Sequence, residues 1–325
     1  MTLSDLPNLH SSSDYYAQAF SLFRHYSDQK QNVKRWYLNN LTPLAQKYSR
    51  LSVLSIGCGN GDVDGYLIRE IFLTNCAHTV YHGVEPSRAH RYEFLDKMRS
   101  ASSSVTVGYG ENTPCGINVD SCVSESIDML LFDTDFETFV SSQVAGPTRY
   151  DIIIAGHSLY YLKLLAPALD SIFYRLLAPR GCLTIIHTTP ADFQCTPAMS
   201  IFNEGQPRTH VQILREVIKQ LGPLSCSGDS WIPSLSSEES LVQVQINDLY
   251  VDVSCCLAGY NKDRGNARSL LSFFTGKDLR LANSEQIERL SSILRTQCIN
   301  LEPDRWVLWQ PEAIISINLQ GNNCF

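Results

Sequence analysis

The sequence predicts an α/β fold built on a Rossmann-like, mostly parallel sheet, and three observations predict it. Val53-Leu-Ser-Ile56 is a short apolar run that stops in a turn carrying Gly57, Gly59 and Gly61. A second run, Thr79-Val-Tyr-His-Gly-Val84, closes on Glu85, and a third spans Tyr150 to Ala155. Helix-like segments separate these runs, and strands alternating with helices imply a parallel sheet covered on both faces.

Each element has its own signal. Residues 14–37 place Tyr16, Phe20, Phe23 and Ser27 at spacings of three and four, with Trp36 and Tyr37 continuing the aromatic side, which predicts one amphipathic helix. After the glycine turn, residues 65–75 and 86–101 read as the crossover helices and 104–109 as the next strand. The acidic stretch Asp128 to Glu137 reads as a solvated face or a helix bordering the site. A helix over 162–177, the turn Ala178-Pro-Arg-Gly181 and a strand over 182–187 follow the central strand. Residues 208–221 predict a further helix, 223–240 a Ser- and Pro-rich loop, and 241–246 an alternating strand. Residues 254–304 read as mostly helical, and 314–319 as a strand that returns to the sheet.

Composition narrows the function. The chain has 325 residues, 44% hydrophobic and 18% charged, long enough for one elaborated α/β domain and globular in balance. A net charge of −7 and a pI near 5.6 disfavour nucleic acid, because no excess of Lys and Arg is available to neutralise phosphates. A small-molecule substrate is the expectation. No run reaches the roughly 18 apolar residues needed to cross a bilayer, and the start Met-Thr-Leu-Ser-Asp-Leu-Pro lacks a basic region before an apolar core, so no membrane and a cytoplasmic location are expected. The 11 cysteines are odd in number and without C-x-x-C spacing, which reads as reduced thiols with no metal. A monomer is the default.

The glycine turn carries the chemistry. Glycines let backbone N–H groups approach a ligand at a helix start, and a carboxylate closing the next strand can accept both hydroxyls of a ribose. Gly57, Gly59 and Gly61 give G-x-G-x-G, whereas dinucleotide sites prefer G-x-G-x-x-G. The spacing favours S-adenosylmethionine (SAM) over NAD. The plain alternative is an ordinary tight strand-to-helix turn.

On these residues the chain resembles the class I SAM-dependent methyltransferases, and within them the histamine N-methyltransferase family. Leu54-Ser-Ile-Gly57 with Gly59, Gly61 and Asp64 is similar to the family's cofactor loop, Val84-Glu-Pro-Ser87 to its ribose-binding strand end, and Leu159-Tyr-Tyr161 to its paired tyrosines. Val251-Asp-Val-Ser-Cys-Cys256, with Asn261 and a helix to Gly276, is similar to its small substrate lobe. The resemblance implies a seven-stranded sheet. It also implies a SAM-binding domain over 1–249 with an N-terminal substrate-covering helix, a helical substrate lobe over 250–305, and a returning strand over 306–325. For the cofactor it implies Gly57, Gly59, Gly61, Glu85, His90, Thr113 and Gly156. For the substrate it implies the positions Gln29, beside Asp28, and His157, together with Glu312, where Pro311 interrupts the match. Gln29 stands where the family has a glutamate that binds the amine, and His157 where it has a glutamine.

Exchanging a carboxylate for an amide removes a charge-assisted hydrogen bond worth about 1.5–3 kcal/mol. Asp28 or Glu312 could restore that charge. Tyr160 and Tyr161, with Tyr16 and Phe20, are expected to form an aromatic wall suited to a planar ring or a cation. His157 is the expected catalytic residue, orienting an acceptor or acting as a base. The expected activity is methyl transfer to the nitrogen of a small imidazole or amine. Transfer to oxygen or sulfur with His157 as base, and a non-catalytic SAM-fold binding protein, are the alternatives.

Overall fold

The computed structural model describes residues 5–101, 106–110, 119–124, 126–142, 149–189, 242–257 and 264–318. The chain opens with α1 (Ser13–Tyr26) and α2 (Gln29–Ala45) rather than one helix over 14–37. Ser27 turns extended, with φ −108° and ψ 143°, and its hydroxyl accepts from the Gln29 N–H at 3.0 Å. A hydroxyl satisfying a free N–H at a helix start is what a cap does, so Ser27 ends one helix and starts the next.

β1 (Arg50–Ile56) leads through the glycine turn into α3, which runs as Asp64–Leu67, a wider π turn over Ile68–Phe72, and Leu73–Asn75. β2 (His78–Val84), α4 (Arg88–Ala101), β3 (Thr106–Gly110), β4 (Val119–Ser124) and β5 (Ile127–Phe132) follow. Most of the acidic stretch is therefore a strand and its turn. Ile127, Met129 and Leu131 alternate into the core, and the intervening Asp128 pairs with His78 at 3.0 Å. α5 (Phe136–Ser141) is capped by Asp135, whose carboxylate accepts from the Thr138 N–H.

β6 (Tyr150–Gly156) precedes a single 3-10 turn at Leu159–Tyr161, then α6 (Leu165–Ser171, continued by a π turn over Ile172–Leu176), shorter than the predicted helix. β7 (Leu177–Thr188) completes this half. The predicted helix over 208–221 and loop over 223–240 lie outside the described residues. β8 (Val242–Asn247), β9 (Tyr250–Asp252), α7 (Ser254–Leu257), α8 (Arg264–Thr275) and α9 (Ser284–Gln297) come next. They are followed by β10 (Cys298–Glu302), β11 (Arg305–Trp309) and β12 (Glu312–Asn318). β10 and β11 correct the helical reading that ran to residue 304: they form a hairpin that pairs with β9.

The main sheet has the order β3-β4-β5-β2-β1-β6-β7-β12-β8. Its seven-strand body from β5 to β8 matches the expected class, and the β3–β4 pair extends it antiparallel at the β5 edge. β1 is parallel to both β2 and β6, and β2–β5 and β6–β7 are parallel as well. The connection out of β1 goes to one side and β6 arrives on the other. The order therefore reverses between β1 and β6, the place where open α/β sheets leave a crevice beyond the strands' carboxyl ends.

The described residues fall into two compact units. One gathers those of Met1–Asn32, Thr188–Gln212 and Ile246–Glu312, and the other those of Val33–His187, Ile213–Gln245 and Ala313–Phe325. This differs from the expected boundaries, since α1 groups with the later lobe. Phe23 of α1 stacks on Phe273 of α8 at 4.3 Å, and Leu270, Leu271, Phe274, Leu290 and Leu308 fill the same core. The sheet unit has its own core of Val53, Ile152, Ile154, Phe72, Phe94 and Trp36.

Candidate functional site

At the carboxyl end of β1 the chain makes a turn that glycine permits. Gly57, Gly59 and Gly61 have φ of 71°, 58° and 73°, the left-handed region that a Cβ disfavours. Two of them are also sterically closed: a Cβ at Gly57 would stand 2.8 Å from Ser158 Cβ, and one at Gly61 would stand 2.5 Å from the Phe94 ring. Gly59 is different, with nothing within 4 Å of its Cβ direction. Its face is open.

Glu85 closes β2 and lies under this turn, buried. One carboxylate oxygen accepts from the Gly59 N–H at 3.0 Å and the other from the Ser87 N–H at 2.9 Å. Each oxygen keeps a further lone pair, so the carboxylate can still accept from two hydroxyls. His90, half-exposed, brings Nδ1 to 3.6 Å from the same carboxylate. Arg91 is buried, donates to the Glu85 carbonyl at 2.7 Å, and pairs with Asp133 at 2.6 Å. That guanidinium ties the ends of β2 and β5 together, a role the sequence reading missed although Arg91 stands six residues after Glu85.

Behind the turn, Asp64 is buried and accepts from the Tyr81 hydroxyl at 2.6 Å. Burial raises its carboxyl to about 6, opposed by hydrogen bonds from Ser55 and Tyr81. The Cys58 thiol is pushed well up by burial and by the neighbouring Asp64 and Glu85, so it stays protonated and acts as a small core residue. Lys97 of α4 clamps the turn from outside, donating to the Asn60 carbonyl at 2.9 Å and pairing with Asp62.

The carboxyl end of β6 faces β1 across the switch point. Gly156 has the Tyr37 hydroxyl 3.9 Å from its Cβ direction, which leaves backbone accessible there. His157 is the one described non-glycine residue with positive φ, at 54°, and its N–H continues the ladder to the Ile186 carbonyl at 2.9 Å. Strain of this kind at a strand end is a feature of functional sites. The Tyr160 ring lies 6.3 Å from His157, 4.8 Å from Tyr161 and 5.4 Å from His187. Tyr161 is 65% exposed. The structure thus brings Gly57, Gly59, Gly61, Glu85 and His90 together on one side and Gly156, His157 and Tyr160 on the other, all within the sheet unit. Ser158, whose buried hydroxyl has no partner among the described residues, was not foreseen. Thr113 lies outside the described residues.

The remaining substrate candidates belong to the other unit. Tyr16 and Phe20 stack at 6.0 Å, and Phe20 also meets Phe23, Phe273 and the Arg24 guanidinium. Asp28 is committed to backbone, its carboxylate accepting from the Tyr250 N–H at 2.8 Å while its own N–H donates to the Tyr250 carbonyl. Gln29 donates its amide N–H to the carboxylate of Glu312, which is 1% exposed. Two residues 283 apart in sequence are thereby joined. Among the described residues no group of three or more His, Cys, Asp or Glu is placed to hold a metal, and no helix is long and apolar enough to cross a membrane.

No family model and no curated protein matches the chain. Solved structures do resemble it. One is the plantazolicin methyltransferase BpumL in complex with SAH, at 13% identity over 95% of this chain and 97% of that one, TM-score 0.38. Another is YcgJ from Bacillus subtilis, at 12% identity over 88% and 99%, TM-score 0.47. A third is a putative sarcosine dimethylglycine methyltransferase from Galdieria sulphuraria, at 10% identity over 89% and 86%, TM-score 0.42. The strand order itself, rather than these likenesses, establishes the fold.

Proposed function

We propose that the chain is a SAM-dependent methyltransferase acting on a small molecule, with an imidazole or amine nitrogen as acceptor. The observation that carries the cofactor is the open face of Gly59 beside the buried Glu85 carboxylate at the switch point. The turn supplies backbone for close approach, and Glu85 supplies acceptors for a ribose diol. Gly57, Gly61 and Gly156 line the same end of the sheet, and His90, 3.6 Å from the Glu85 carboxylate, is the residue proposed for the adenosine portion. Bound SAM would supply an electrophilic methyl on a sulfonium.

The chain's part is orientation. Displacement requires the acceptor lone pair to be aligned at about 3–3.5 Å, and holding it there is worth several kcal/mol of barrier. A neutral imidazole, with an ordinary pKa of about 6.5, needs no base at pH 7. His157, held in a strained backbone, is proposed to orient the acceptor by hydrogen bonding, with Tyr160 and Tyr161 beside it. Within the other unit, a separate, part-buried pair is Gln29 and Glu312. It keeps one buried carboxylate in an amide–carboxylate couple, so the charge that Gln29 lacks stands on Glu312, and Asp28 is already in use.

The second reading assigns the same cofactor but an oxygen or sulfur acceptor, with His157 as general base; the strained His157 backbone favours it equally. Methyl transfer from labelled SAM to a panel of histamine, histidine, other imidazoles, simple amines, phenols and thiols separates the two. Labelled N-methyl product supports the first reading, labelled O- or S-methyl product the second. SAH binding without turnover of any acceptor would sink both in favour of a SAM-fold binding protein.

A further inference from the structure

We infer that Lys34 is a cofactor-binding residue whose ammonium takes the carboxylate of the amino-acid portion of the cofactor, an inference that rests on the SAM reading above. Lys34 sits in α2 with Nζ 5.3 Å from the centre of the Tyr66 ring. Its ammonium forms no hydrogen bond or ion pair among the described residues. Tyr66 belongs to the first turn of α3, immediately after the glycine turn, so the ammonium stands at the start of the helix that the turn feeds. One turn further along α2, the Tyr37 hydroxyl reaches Gly156 at the end of β6. α2 therefore runs from the helix start to the far side of the crevice.

Among the described residues, the charges around Lys34 leave its ammonium without a partner of its own. Asp62 attracts it, but that carboxylate is paired with Lys97. Burial lowers its pKa, and repulsion from Arg69 and Lys97 adds to that effect. Three cations about one occupied carboxylate favour an added anion, and an ammonium on an aromatic face with its N–H groups unspent can donate to one. The glycine turn offers neutral N–H groups and Glu85 offers only acceptors, so a ligand carboxylate here is balanced by cations, Lys34 at the Tyr66 face and Arg69 beside Gly65. A methionyl carboxylate is the anion that the proposed cofactor carries.

Two ligands differing in that group test the assignment. Calorimetric titration of the full chain compares S-adenosylhomocysteine with 5′-methylthioadenosine, which has the nucleoside but no carboxylate. Lys34→Met, which keeps the apolar stem over Tyr66, is expected to weaken S-adenosylhomocysteine about tenfold or more while moving methylthioadenosine less than about twofold. Lys34→Arg is expected to hold S-adenosylhomocysteine within about threefold of the parent chain, since the cation is retained. Equal weakening of both ligands, or no change in either, overturns the assignment to the carboxylate. If the unaltered chain binds neither ligand, the SAM reading itself fails, a result distinguishable from failure at Lys34.

Discussion

His157 shows how one backbone angle separates stability from function. Its φ of 54° puts a side-chain-bearing residue in a conformation that costs roughly 1–2 kcal/mol relative to glycine. Comparing two variants that both lack the imidazole isolates that cost. His157→Gly is expected to be about 1 kcal/mol more stable than His157→Ala in urea unfolding, because only alanine keeps the clash. The opposite order, which glycine's greater chain entropy gives at an unstrained strand end, would show that the angle stores nothing. At this scale the sequence was most legible where chemistry is local. Gly57, Gly59, Gly61 and Glu85 announce themselves because a left-handed turn admits few residue types and the acid closes the very next strand. Lys34 and Arg91 were invisible because their roles come from what α2 and α4 pass over, and residue spacing carries no trace of that.

Strand β2 carries two titrating environments with opposite pH dependence. On one face, Tyr81 holds Asp64, whose carboxyl is raised to about 6; on the other, His82 shares a 2.7 Å hydrogen bond with Tyr150 and is lowered by burial to about 4. Between about pH 4 and 6 the folded chain keeps a proton on Asp64 that the unfolded chain has released. Asp64 thus contributes stability that is complete below about pH 4 and lost as pH rises through 6. For His82 the sign reverses: below about 6.5 the unfolded chain binds a proton that the folded chain refuses, so its contribution is present above 6.5 and lost as pH falls through 4. Each is on the order of 3 kcal/mol, and together they nearly cancel in that window. Asp64→Asn should therefore expose a stability that falls from pH 6.5 to 4, and His82→Gln one that rises, in urea titrations at unit pH steps. Slopes of the same sign in both variants would contradict this account. Legibility among the elements followed burial. Apolar runs buried on both faces, such as β1 and β6, were plain. β5 was masked by the charges on its polar side, and β10 by Ile299 and Leu301, which alternate correctly but face solvent at 46% and 53% exposure. The α1–α2 break was signalled by Ser27-Asp28, two cap-forming residues that periodicity alone absorbs into a helix.

Across the whole molecule, sequence order and compactness part company. The N-terminal helix α1 and the lobe of residues 246–312 form one unit although some 220 intervening residues belong largely to the other. A linear reading assigns α1 to the domain it precedes, because loop closure over such a distance leaves no local sign. Physically the distance matters little: the cost of closing a loop grows only with the logarithm of its length, and a buried aromatic stack outweighs it. Phe23 is the residue on which that argument turns. It is 6% exposed, stacks on Phe273 at 4.3 Å and meets Phe274 edge-on at 6.3 Å. Truncating a buried Phe to Ala costs about 3–5 kcal/mol. Phe23→Ala should therefore speed amide exchange in α8, near Leu270, Leu271 and Phe274, by roughly 100-fold or more under conditions where opening is in equilibrium. Hydrogen exchange followed by peptide mass spectrometry reads this directly. If α8 exchanges at its original rate, α1 is an appendage to the 246–312 lobe rather than part of its core.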